Sequence, residues 1–280
     1  MAPAAFAERS TAAHAVLSLG GWVEKLAVGL TSVVASIVLI GAAAWSGASG
    51  SGWPSLVVAL LFGVILGYGW PHFLHVPARK TLGTVIALSA AISAWSAHES
   101  GGPAFLIWLV PTIALGVGAV FVVELIRGTG QSHRLESTFG AISGVVIAAA
   151  GAGWVALQRF THGGELLLVA GIAMALVLLW ALVPWPDRLV APVGVVLGGL
   201  AAALAALLFT ALPPLPLTVV GVVAAATLLS FRRLENLALH ASTVARAHPV
   251  GQVLGMLAIG LAPVLSVGIL SYFLDRLFSL

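Results

Sequence analysis

The 280-residue chain has no cysteine. That absence excludes disulfides, thiolate catalysis, cysteine-ligated zinc and iron–sulfur clusters. Charge is scarce as well: Asp, Glu, Lys and Arg make up 8% of the residues, against 60% hydrophobic ones. Soluble domains carry roughly a quarter of their residues as charges, so this chain cannot keep a surface of that kind wet. A nucleic-acid partner is not expected, and neither is a cofactor. A polytopic helical membrane protein is. The wealth of Ala, Gly and Val, with little Lys or Asn, points to a GC-rich bacterial genome and hence to a bacterial cytoplasmic membrane.

Residues 1–23 also lack the pattern of a cleaved signal peptide. Glu8 and Arg9 cancel, and the apolar stretch is interrupted by His14 and closed by Glu24 and Lys25. This segment is expected to be cytoplasmic or interfacial and to lead into an uncleaved first span.

What the chain does have is long apolar runs. None of Asp, Glu, Lys or Arg occurs between Lys25 and Arg79, a stretch too long for one span and broken by SGASGSGWP at 46–54. About 20 residues cross a bilayer core. The expected spans are 26–46, 54–71, 80–97, 103–126, 138–158, 165–184, 189–212, 214–231 and 252–274, nine in all. The Pro cluster LPPLP (212–216) is read as a tight turn. With the N-terminus inside and the C-terminus outside, inner segments hold ten Lys and Arg and outer ones two, Arg159 and Arg276. That asymmetry follows the positive-inside rule and supports an odd number of spans.

The loop GWPHFLHVPARKTLG (69–83) recurs in reduced form as PWPDRLVAPVGVVLG (184–198). At an offset of 115, Trp70 meets Trp185, Pro71 meets Pro186 and Pro77 meets Pro192; His133 and Gly140 meet His248 and Gly255. The fold expected is all-α: nine transmembrane helices in two parallel four-helix repeats plus one final helix. The units would be 24–136 and 137–251, with 252–280 as the last helix and a short outer tail. Parallel repeats imply an axis along the membrane normal. In the WPxxLxxP motif, the tryptophans are expected at the headgroup level with their N–H in water. Pro71 and Pro186 should end the preceding helix, and Pro77 and Pro192 should open the next one.

Four GxxxG pairs, Gly63/Gly67, Gly140/Gly144, Gly194/Gly198 and Gly251/Gly255, are expected to pack helices inside one subunit. Membrane lipids are the expected partners, with a protein partner or a second copy as further candidates.

No ionisable residue falls near the centre of any expected span, which argues against an acidic proton relay. Ser89, Ser93, Pro111, Thr112, Ser143, Pro263 and Ser266 are the polar or kinking features there. Ionisable groups gather at the inner rim instead, and the candidates for contact with a substrate or headgroup are His72, His75, Arg79, Lys80, Arg127, His133, Arg134 and His248. No three of them show metal-ligand spacing, and no nucleophile–base set is written, so an enzyme is disfavoured. His98, Glu99, Arg159, His162 and Glu165 are few and scattered on the outer side. The residue pattern names no family. The expected function is a permease for a small or amphiphilic solute. The alternatives are a membrane scaffold or accessory subunit of a larger complex, and a lipid-active enzyme using the inner His, Arg and Glu residues.

Overall fold

The computed structural model describes residues 3–74, 76, 78–101, 104–127, 134–242 and 249–278; side chains are described for 25–74, 76, 78–101, 104–127, 135–234 and 250–278. Every regular element among them is helical: α1 (Pro3–Ser49), α2 (Trp53–Phe73), α3 (Arg79–Glu99), α4 (Leu109–Ile126), α5 (Arg134–Ala150), α6 (Ala152–Leu157), α7 (Gly163–Ala181), α8 (Asp187–Phe209), α9 (Pro214–Ser242) and α10 (Pro249–Phe278). Eight spans are long and apolar enough to cross a membrane, with α5 and α6 forming one of them, Leu135–Leu157. The chain is an all-α, multi-pass membrane protein.

Helix α3, of 21 residues, is not among those eight. Arg79, Lys80 and Glu99 at its ends and several serines along it lower its apolar content. Its polar residues turn inward, with Ser89 and Ser93 buried, while Leu88, Ile92 and Trp95 lie exposed on the face left for lipid. Both serines therefore sit against protein, and Ser89 Oγ donates to its own helix at Val85 O, 2.9 Å away.

Small residues set how closely the helices approach. Gly63 of α2 packs on Ala90 of α3, where an added Cβ would lie 2.5 Å from the Ala90 Cβ; at Gly67 one would lie 2.8 Å from Ala87. Gly198 of α8 packs on Ala225 of α9 in the same manner, and Gly194 faces Leu229 and Trp180. Gly140 and Gly144 receive Leu74 and Trp70, and Gly251 and Gly255 receive His72 and Phe73. All four GxxxG pairs thus face neighbours within the chain. Gly50, at φ +65°, makes the turn between α1 and α2 in a conformation that glycine adopts without a steric penalty.

Helix α10 is the hub of the bundle and packs on α1, α2, α5, α6, α7 and α9. Its glycine Gly268 meets Gly153 of α6 backbone to backbone, and Trp154 donates from Nε1 to Val264 O at 2.9 Å. Alternating passes leave one basic end, with Lys25, Arg79, Lys80, Arg127, Arg188, Arg232 and Arg233. The opposite end carries Arg159 and Arg276 among the described cations.

Several expectations change. The N-terminal segment is helical backbone from Pro3 and runs straight into the first span. The last helix is central rather than appended. Pro71 does not end its helix but sits inside the last turn of α2, two residues before Phe73. Pro192 lies inside α8 rather than in its first turn. Pro77 lies outside the described residues.

Candidate functional site

The two WP turns are built differently. In the first, α2 continues through Trp70, which is buried and donates from Nε1 to Gly140 O at 2.9 Å. Its N–H is therefore not in water, contrary to the headgroup placement expected for it: a ring that packs on a glycine face can satisfy its donor with a nearby carbonyl. In the second, α7 stops at Ala181, and Pro186 caps α8 with φ −56° and ψ 138°. Trp180 takes over the anchoring, donating to Val190 O at 3.1 Å. Trp185 stacks edge-on against Trp180 at 5.5 Å and stays 52% exposed.

That difference leaves space. A cavity of about 380 Å³ opens at the basic end among α1, α7, α8, α9 and α10. The turn Val183–Asp187 forms one wall, and Leu26, Leu178, Leu182 and Leu228 supply apolar surface. Deep in it lie Ser32 of α1 and Pro263, about halfway along α10. Pro263 lacks the N–H that would serve the carbonyl one turn back. Ser32 Oγ donates to the neighbouring Gly260 O at 2.6 Å and ties α1 to α10 close to Pro263.

Charge enters the cavity from Lys25, Arg232 and Asp187. Arg232 Nη2 lies 3.4 Å from Val183 O and 3.9 Å from Asp187 Oδ1, so its bonds within the cavity are long. Among the described lining residues these three are the ionisable ones, and Arg232 has a further interaction beyond those with Val183 and Asp187.

Among the described candidates His72, Arg79, Lys80 and Arg127, none lines this cavity. His72 Nδ1 lies 2.7 Å from Tyr68 O, with its ring on Gly251. Arg79 donates from Nε to Val76 O at 3.3 Å, and Lys80 is exposed. Arg127 is paired: its Nη1 donates to Glu124 Oε1 at 2.8 Å, and Ser137 Oγ donates to the same oxygen at 2.6 Å. Glu124 is buried, so this set joins α4 to α5. Arg134 opens α5 as backbone. The side chain of Arg134, together with His75, His133 and His248, lies outside the described residues.

Sequence reasoning treated Trp185 and Pro186 as interface anchors, and they line the cavity. It passed over Lys25, Ser32, Asp187 and Arg232 as site residues. The available signal was the convergence of a mid-span Pro, an inner-rim Arg and the second WP turn, but nothing in the linear order brings those three together.

The opposite end also holds a polar group that the sequence left scattered. Arg159 Nη1 donates to Ala97 O at 3.2 Å and also to His98 O, and its guanidinium lies 4.7 Å from the Phe105 ring centre. Phe160 stacks on Tyr272 at 5.4 Å. Asp275 and Ser271, one turn apart on α10, are buried, with Asp275 Oδ1 and Ser271 Oγ making no hydrogen bond. No set of three metal-ligating side chains occurs among the described residues.

Comparison with known proteins finds no matching family model, no similar curated protein and no similar solved structure.

Proposed function

We propose that the protein is a permease-type carrier of a small or amphiphilic solute, with its binding site in the cavity between α1, α7, α8, α9 and α10. The observation that carries this reading is the difference between the two WP turns. One is filled by its own tryptophan, and the other is left open onto a space that reaches from a basic rim to the kink at Pro263. A dry scaffold has no need for such a space, since packing is what stabilises a membrane bundle. The volume falls in the range of small-molecule sites. A proline-kinked central helix beside the site gives one element whose bending opens or closes it.

The basic end is assigned to the cytoplasm on the positive-inside rule. The test is flux through the purified full chain in proteoliposomes, with fluorescent amphiphiles of each charge type and a panel of small solutes. The wild type should carry at least one class. Ala181→Trp, which fills the cavity from its wall, should cut that flux at least tenfold while leaving the folded fraction unchanged. A wild type inert toward every class, or an Ala181→Trp variant as fast as wild type, would overturn the proposal.

A further inference from the structure

Buried oxygens without partners gather at the end of the bundle opposite the cavity. Asp275 and Ser271 are one turn apart on α10 and only 3% and 1% exposed, and Asp275 Oδ1 and Ser271 Oγ make no hydrogen bond. Gln158 Oε1, at the C-cap of α6, is a third such atom. We propose that these three side chains hold an alkali-metal cation. The site is separate from the cavity and needs no carrier activity to be occupied.

Helix geometry brings the three together. Gly260 of α10 packs on Thr31 of α1, and Gly268 packs on Gly153 of α6. With about 3.6 residues per turn, Ser271 and Asp275 fall on the stripe between those two contacts, further along the helix. The connection that follows α6 packs on the same turn of α10: Phe160 stacks on Tyr272 at 5.4 Å, and the Arg276 guanidinium lies 5.8 Å from the Phe160 ring centre. Gln158 sits over the start of α7, with its Nε2 3.5 Å from where a Cβ on Gly164 would lie.

The occupant is a cation for two reasons. First, the unserved atoms are oxygens, one of them on a carboxylate, and a buried charge is stable only when it is paired. The nearby cationic side chains are engaged elsewhere. Arg276 and His162 are near enough for their charges to act on Asp275. Among the described residues neither forms an ion pair with it: Arg276 covers Phe160, and His162 Nδ1 lies 3.8 Å from Glu165 Oε1. Arg159 donates to Ala97 O and His98 O. Second, α6 ends here, and the C-terminal end of a helix carries partial negative charge. A carboxylate beside that end deepens a negative potential that a cation relieves, and helix ends of this kind coordinate ions in other membrane bundles.

The donor set also selects the ion. No three His, Asp or Glu side chains that could hold a metal come together among the described residues, whereas zinc and calcium sites draw on several such ligands. One carboxylate balances one positive charge, and hydroxyl and amide oxygens suit a hard ion.

Binding is read on the purified full chain in detergent, in sodium, potassium or choline chloride at equal ionic strength. Radioactive sodium should bind as a single ion per chain. Sodium or potassium should raise the unfolding midpoint saturably and choline should not, because a ligand that binds only the folded state stabilises it by mass action. Asp275→Asn should lower sodium affinity about tenfold or more. In choline it should unfold later than wild type, which reports that it folds, and in sodium the gap should close. Ser271→Ala should weaken binding about threefold. Glu99→Gln, at an exposed carboxylate of the same end, should change neither readout. A midpoint equal in all three salts, or an Asp275→Asn variant that binds sodium as tightly as wild type, would overturn the proposal. A midpoint that follows pH but not sodium would make a proton the occupant and overturn the metal ion. Sodium binding with no flux of any solute would uphold this site and sink the carrier.

Discussion

Replacing Trp70 by Phe keeps most of the ring but removes the N–H that serves Gly140 O. A single hydrogen bond of this kind is worth about 1 kcal/mol, and the orphaned carbonyl adds to the loss where water is absent. Trp70→Phe should therefore lower the midpoint of thermal or detergent unfolding. Trp185→Phe should not, because Trp185 is half exposed and has no such bond. The two tryptophans are equivalent in the repeated motif, so motif matching alone predicts equal effects. Which indole is buried depends on where the preceding helix stops: α2 runs past Trp70 and α7 ends before Trp185. That difference is set by contacts with α5 and α10, which a local reading does not see. The same limit explains why Lys25, Asp187 and Arg232 were legible as rim charges but not as one site. At this scale a second effect is expected at the opposite end. Asp275 has a buried oxygen without a hydrogen-bond partner, and burying a polar group unserved costs stability. Asp275→Asn keeps the shape and removes the formal charge, so the variant should unfold later than wild type, and an unchanged or earlier midpoint would show the carboxylate to be satisfied.

Helix existence was readable, and eight of the nine expected spans are long and apolar enough to cross, because composition does the work: runs of about 20 apolar residues can only be satisfied as spans or as core. The weak point was α3, counted from the sequence as a span but falling short of the other helices in apolarity. Its serines are spent against neighbours and its Leu88, Ile92 and Trp95 face out. Hydropathy averages around the helix, whereas the membrane tests only the outer face. Helix order in space was not readable, and α10 shows why. A central helix and an appended one have the same composition; what distinguishes them is which glycine meets which backbone. Gly153 packs directly on the Gly268 backbone, whereas a Cβ at Gly41 would meet nothing within 4 Å. Gly153→Leu should thus force α6 and α10 apart and cost about 1–3 kcal/mol or more. Gly41→Leu, on a lipid-facing stretch of α1, should be near neutral. Unfolding midpoints for the two variants check this directly, and equal effects would mean that α6 and α10 are not held by that contact.

At the scale of the molecule, the proposal of a tandem duplication gains one contact. Gly153 and Gly268 are 115 positions apart, the offset of the WP motif, and they touch. The surroundings agree in part: α3 packs on α2 and α4 as α8 packs on α7 and α9, and α3 packs in addition on α5 and α6. The cavity opens at the basic end of the bundle. The direction of that opening follows from orientation, and the chain is well suited to measure it. It has no cysteine, so a single introduced thiol is the only target for a membrane-impermeant maleimide. Lys80→Cys and Arg233→Cys, both at exposed positions of the basic end, should be protected in intact cells and label only after the membrane is opened. Gly101→Cys, exposed just beyond α3, should label from outside. Reversal of all three would invert the protein and point the cavity outward, leaving the helix count untouched. Labelling of Lys80→Cys and Gly101→Cys from the same side would mean that α3 does not cross, and with that the two ends of the bundle, and the cavity's place at one of them, would have to be redrawn.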